Sequence, residues 1–194
     1  MTRFLLTTAA VLTALTAPAL AAPVEYEFDK SHTVVRGSWL HQGMSTMSLE
    51  LTNYDGTLVL DLEEPANSAV EVTFTLADGM WAGANQDRFI GHLSSSDFFE
   101  VETNPTVHFI ATGFDSADNR TGTMTGDLTM NGQTHPVTLD VVFNGSGETR
   151  DGRAKHGFTA TGTLVRSTWD MGFAVPYISN EIEIFISTEV EASE

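Results

Sequence analysis

The sequence predicts an all-β protein built as an antiparallel sandwich or barrel. Three observations carry this: apolar and polar residues alternate in several segments, turn dipeptides separate them, and no long stretch has helical spacing. In Val70–Leu76 the alternation puts Val70, Val72, Phe74 and Leu76 on one face. Val137–Val141 and Phe158–Leu164 repeat it, the second with threonines outward, and Ile182–Val190 closes the series. Asp55-Gly56, Asp78-Gly79, Asn131-Gly132, Asn144-Gly145 and Asp151-Gly152 are turn signals, because these residues tolerate positive φ. Pro65 and Pro105 stand beside strand starts, where they break no ladder. Residues 81–99 lack the two-residue period, and Phe89, Leu93 and Phe99 suggest one or two helical turns packed on the sheet. The glycine-rich, charged stretch from Asn144 to Gly157 reads as a mobile hairpin loop.

The chain opens with Arg3, an apolar run from Phe4 to Leu15 and a small-residue site at Ala19-Leu20-Ala21. That is the pattern of an export signal, with cleavage expected after about Ala21 and a single domain over residues 22–194. The run is too short to span a bilayer, so no stable membrane insertion is expected. The sequence has no cysteine, which removes disulfides, thiolate metal sites and cysteine nucleophiles together. The formal charge is −17, and Lys30 and Lys155 are the lysines. Such a surface repels phosphate backbones and anionic headgroups, which argues against nucleic-acid binding. A homodimer is left open.

Catalytic signals are sparse. No Gly-x-Ser-x-Gly, phosphate-cradling loop or dinucleotide fingerprint is present, so no catalytic residue, cofactor or metal is assigned. Six histidines occur with no close ligand pair among them; His32, His41 and His92 lie in the most distinctive phrases. A small metal-dependent or stress-related enzyme using these three is therefore an alternative, and a ligand-free structural barrel is another. Strand parity turns Arg166 inward, where an unpaired guanidinium is costly. Its expected partner is either an aspartate, such as Asp97 or Asp127, or the head group of a ligand. Parity turns Phe74, Phe109, Phe143 and Phe158 inward too, and the small Ala160 and Gly162 leave space near Arg166. A barrel of about eight strands is either filled or holds one ligand.

Five phrases occur in order along the chain: Asp29-Lys-Ser-His32, His41-Gln-Gly43-Met-Ser45, Gly91-His-Leu-Ser-Ser-Ser-Asp-Phe-Phe99, Gly126-Asp-Leu-Thr-Met-Asn-Gly132 and Arg166-Ser-Thr-Trp-Asp-Met-Gly172. Their order and spacing, from about Tyr26 to Val190, resemble the YceI-like family of periplasmic proteins that bind polyisoprenoid lipids. Phe89-Ile90 stands where the family commonly has Arg-Asp, with Arg88 one residue earlier, and Trp169-Asp170 replaces a common Phe-Gly. Gly37 and Leu49 depart as well. The resemblance implies an extended lipocalin-like antiparallel β-barrel with a short helical cover, exported to the periplasm. It also implies a carrier of a long-chain isoprenoid lipid, of ubiquinone or polyprenyl phosphate type. The expected tail contacts are Val35, Trp39, Phe74, Phe89, Phe109, Phe158 and Met171; the expected head-group contacts are Arg166, His32 and His41.

Overall fold

The computed structural model describes residues 23–84 and 86–194; the expected export signal lies outside them. The described residues form eleven strands: β1 (Val24–Phe28), β2 (Val34–His41), β3 (Ser45–Leu51), β4 (Tyr54–Leu60), β5 (Ala69–Thr75), β6 (Met80–Trp81), β7 (Thr106–Ser116), β8 (Thr121–Met130), β9 (Gln133–Glu148), β10 (Ala154–Val165) and β11 (Glu181–Ala192). A helix, α1 (Gln86–Leu93), falls inside the stretch expected to be helical. The ladders run β1-β4-β5-β7-β8-β9-β10-β11, and β1 pairs back onto β11, so eight antiparallel strands close a barrel. Closure removes the open sheet edges that would otherwise invite aggregation.

The remaining strands extend this wall. β1 pairs with Val190–Ala192 of β11, and β2 pairs with Glu183–Ser187 of the same strand. The two thus lie end to end beside β11, separated by the turn at residues 29–33. Asp29 makes that turn by accepting the Ser31 backbone N–H at 3.0 Å and the Thr33 hydroxyl at its carbonyl. β3 joins β4 across Thr52 and Asn53 in the same fashion, and β6 continues the wall beside β3.

Alternation puts Ile182, Ile184 and Ile186 of β11 and Val137, Leu139 and Val141 of β9 toward the lumen, as period two requires. Two bulges alter the phase. The shift between Ala111 and Gly113 in β7 resets parity so that Phe114 faces inward after Phe109. The shift at Gly157/Phe158 holds Phe158 opposite Phe143, with ring centroids 5.4 Å apart. Gly126 lies under the Phe109 ring, and any side chain there would collide with it.

Three local expectations are corrected. Strand β9 runs through Asn144-Gly145 to Glu148, and β10 begins at Ala154, so the hairpin loop is residues 149–153 rather than 144–157. Asp55-Gly56 is not a turn but strand β4, where Gly56 admits the backbone of Glu71. The space at Gly162 is filled by Leu139, whose side chain packs where a Cβ would stand.

An ion network braces the outer wall. The Lys155 ammonium reaches Asp29 at 3.1 Å, Glu189 at 2.5 Å and Glu191 at 3.5 Å. Burial alone would raise the Asp29 carboxyl, but hydrogen bonds from His32, Lys155 and the Ser31 N–H outweigh it and pull its pKa down to about 2. The stability this carboxylate contributes is present above about pH 4, the ordinary carboxylate value, and is lost as pH falls through about 2.

His156 behaves in the opposite sense to a surface histidine. It is buried, with Nε2 2.9 Å from the Tyr26 hydroxyl and Nδ1 2.8 Å from the Ser146 hydroxyl, so it ties β1, β9 and β10 together. Desolvation pushes its pKa below the ordinary 6.5. The unfolded chain therefore binds a proton at His156 that the folded chain resists. Stability from this group is complete above about pH 6.5 and declines as pH falls below it. Denaturant titrations at pH 7.5 and 5.5 are expected to show the lower midpoint at pH 5.5. Equal midpoints, with His156 still neutral by NMR at both values, would contradict the linkage.

Candidate ligand-binding site

A cavity of about 400 Å³ runs inside the barrel. This volume falls in the range of about 300–1,000 Å³ typical of small-molecule sites. Its walls are apolar along most of their length. All seven expected tail contacts line it: Val35 and Trp39 from β2, Phe74 from β5, Phe109 from β7, Phe158 from β10, Phe89 from α1 and Met171 from the loop after β10. Trp39 and Phe89 stack at 5.9 Å, so α1 is seated on the barrel wall through this aromatic pair.

Arg166 is 4% exposed and also lines the cavity. It opens a short 3-10 turn, Arg166–Trp169, directly after β10. Neither Asp97 nor Asp127 is its partner. The guanidinium instead donates to four carbonyls: Nε to Ser179 at 2.9 Å, Nη1 to Met171, and Nη2 to Phe173 at 3.0 Å and Ile178 at 3.1 Å. It also lies 5.8 Å over the Phe98 ring. The planar fork of arginine suits this task, because it holds the loop from Met171 to Ser179 by several strands of backbone at once. Burial lowers the pKa of Arg166, yet the carbonyl set satisfies the charged form.

His32 and His41, expected at the head group, are not among the residues that line the cavity. His32 sits on the outer face, its Nδ1 2.7 Å from Asp29 and 3.8 Å from Glu189. His41 ends β2 and bridges to Ile178 through its backbone. His92 does reach the wall; its ring meets Phe98 edge-on at 5.0 Å and Phe173 at 5.9 Å. Among the described residues, the one trio of His, Asp or Glu close enough to share an ion is Asp29, His32 and Glu189. Lys155 already supplies its positive charge, and the trio contains neither His41 nor His92. The three histidines therefore form no joint centre.

Several lining residues escaped sequence reasoning. Phe28 and Tyr54 meet edge-on at 6.0 Å where β1 gives way to the 29–33 turn. Phe98 and Phe99 follow α1 and carry no period. Phe114 was hidden by the bulge. The far end of the wall is Asp115, at the end of β7, with Leu62, Asn119 and Arg120 from loops, where no pattern points inward.

A family model, the YceI-like domain, matches residues 26–190. The chain belongs to the YceI-like family. A UPF0312 protein of Pseudomonas putida strain GB-1 is 34% identical over 181 residues, covering 91% of both chains. A UPF0312 protein of Pectobacterium atrosepticum is 32% identical over 184 residues, covering 94% of this chain and 93% of that one. Among solved structures, Burkholderia cenocepacia BcnA superposes with a TM-score of 0.74 at 17% identity, covering 84% of this chain and 99% of that one. The Campylobacter jejuni YceI protein superposes with a TM-score of 0.67 at 25% identity, covering 75% and 85%. A polyisoprenoid binding domain from Saccharophagus degradans superposes with a TM-score of 0.58 at 11% identity, covering 88% and 99%. These neighbours share the barrel fold. No helix among the described residues is long and apolar enough to cross a membrane.

Proposed function

We propose that this YceI-like protein is an exported, periplasmic carrier that holds one long-chain isoprenoid lipid, of ubiquinone or polyprenyl phosphate type, inside its barrel. The observation that carries the reading is the apolar cavity of about 400 Å³, walled by aromatic and branched side chains from every part of the barrel. The name of the Saccharophagus degradans neighbour points to the same ligand class. The charged opening and apolar run at residues 3–15 support export.

Binding follows from burial alone. Each methylene removed from water contributes about 0.8 kcal/mol. Micromolar affinity corresponds to about 8 kcal/mol, so roughly a dozen well-buried carbons suffice before the costs of ordering are met. The tail lies on Val35, Trp39, Phe74, Phe89, Phe109, Phe158 and Met171. No reacting group is needed for such a task, and the protein acts by binding rather than by catalysis.

The test is retention. Delipidated protein is mixed with a polyprenyl quinone or a polyprenyl phosphate in micelles and passed through gel filtration. One lipid per chain is the expected result. Elution without lipid in both cases would overturn the reading and favour a barrel whose partners are proteins.

A further inference from the structure

The two ends of the cavity differ in chemistry, and the difference fixes which way a lipid lies. Strand directions identify the ends. Val165 of β10 pairs with Glu181 of β11, so Arg166 stands at the end where β11 begins. β4 pairs antiparallel with β1, which pairs antiparallel with β11, so Leu60 and the following loop stand at the end where β11 finishes. Two further antiparallel steps, from β4 to β5 and from β5 to β7, bring the β7–β8 turn to that same end.

The Arg166 end is closed by packed side chains. Leu93, Phe98, Trp169 and Met171 are each buried there. Arg166 binds the carbonyls of Met171, Phe173, Ile178 and Ser179, which draws the 171–179 loop across the barrel. On the wall toward this end, His92 has its ring engaged by Phe98 and Phe173, and the Arg36 guanidinium lies 5.0 Å over the ring of Phe185, its register partner on β11.

The opposite end is open and polar. Asp115, Asn119 and Arg120 line the cavity there and are exposed, as is Leu62. Asn119 donates to the Glu63 carbonyl at 2.9 Å, which fixes the β7–β8 turn against the loop after β4 and shapes the mouth between them. Arg120 makes no side-chain hydrogen bond or ion pair within the described residues. The two segments of the mouth carry five carboxylates, Asp61, Glu63, Glu64, Asp115 and Asp118. Asp61 is taken up by the Glu63 and Glu64 N–H groups and by Asn67. Asp118 is taken up by the N–H groups of Arg120 and Thr121. Asp115 has no such bond.

We infer that a bound lipid lies with its tail tip toward Arg166 and its polar end at the mouth between residues 61–68 and 115–121, where Arg120 donates to a neutral, oxygen-bearing head group. A single guanidinium among these carboxylates offers hydrogen bonds to carbonyl or hydroxyl oxygens but no net positive field for a diphosphate. The inference rests on the lipid-carrier reading and selects within it.

The chain has no cysteine, so one thiol can be placed at either end of the cavity. Ala117→Cys marks the mouth, in the β7–β8 turn, and Tyr177→Cys marks the closed end, in the 171–179 loop; both positions are exposed and neither lines the cavity. Each variant is labelled with a fluorophore and titrated with a long-tailed polyprenyl quinone, whose ring quenches nearby fluorescence. Binding is followed separately by retention of the quinone on gel filtration. The expected result is retention by both variants, with quenching several-fold stronger at Ala117→Cys. Arg120→Gln is expected to weaken quinone binding about tenfold while leaving the unfolding midpoint unchanged. Stronger or equal quenching at Tyr177→Cys overturns the orientation. Tighter binding of a polyprenyl diphosphate of the same tail length overturns the neutral head group. Absence of quinone from the unlabelled protein in the retention assay defeats the carrier reading itself, and the orientation with it.

Discussion

Replacing Arg166 with methionine is expected to destabilise the protein by about 3–5 kcal/mol, the range for removing one partner of a buried charged network. The side chain is 4% exposed, and its removal strips donors from the carbonyls of Met171, Phe173, Ile178 and Ser179. These carbonyls belong to a loop with little regular structure, so no ladder takes over their hydrogen bonds. Methionine keeps the apolar volume, so the loss reports polar satisfaction rather than a cavity. Arg166→Lys is expected to recover only a minor part, because an ammonium cannot present a planar fork to carbonyls spread over this loop. Urea unfolding gives the stability, and hydrogen exchange gives its location. Amides from residues 171–179 should exchange fastest in the variant. A midpoint within experimental scatter of the parent, with no change in exchange there, would contradict the role given to Arg166.

Ala160→Trp is expected to abolish lipid binding while leaving the barrel folded. Ala160 faces the lumen midway along β10, paired with Val141 on one side and Ile186 on the other, and all three line the cavity. An indole projected there occupies the path of the tail, so the loss in affinity should exceed about 100-fold, or about 3 kcal/mol. The space it enters is empty rather than packed, so overpacking costs should stay below the ~1–3 kcal/mol seen when side chains are forced into filled cores. The readout is lipid retained after gel filtration, with the unfolding midpoint as the control for folding. Full retention by a folded Ala160→Trp protein would show that the lumen is not where the lipid binds.

Much of this wall was legible in the alternation of residues. Val70–Leu76 up to its last residue, Val137–Val141, Phe158–Leu164 and Ile182–Val190 fall in strands, and the parity of each picks out side chains that reach the cavity. Helix α1 was legible through the failure of the two-residue period over residues 81–99. What parity cannot register is an extra residue. The bulge after Ala111 brings Phe114 inward, although counting by two from Phe109 passes over it. Nor does sequence reveal that β1 and β2 share one partner strand, since the break between them lies in an ordinary polar turn.

The site was harder to read for a different reason. Arg166 was placed inward correctly, but its partners are backbone carbonyls, and every residue type carries one. No side-chain motif could point to them. His32 drew notice through the phrase around it, whereas that phrase serves the turn capped by Asp29 and the ion network with Lys155. Arg120 lay in a turn with no pattern, and only folding brings it to the mouth.

The most direct test is mass spectrometry of the organic extract of the protein purified without detergent from cells that make it. Lipid carriage predicts one polyprenyl species, with a quinone-type neutral head, in near-equal amount to protein. An extract free of lipid, together with failure to take up added polyprenyl quinone, would contradict it.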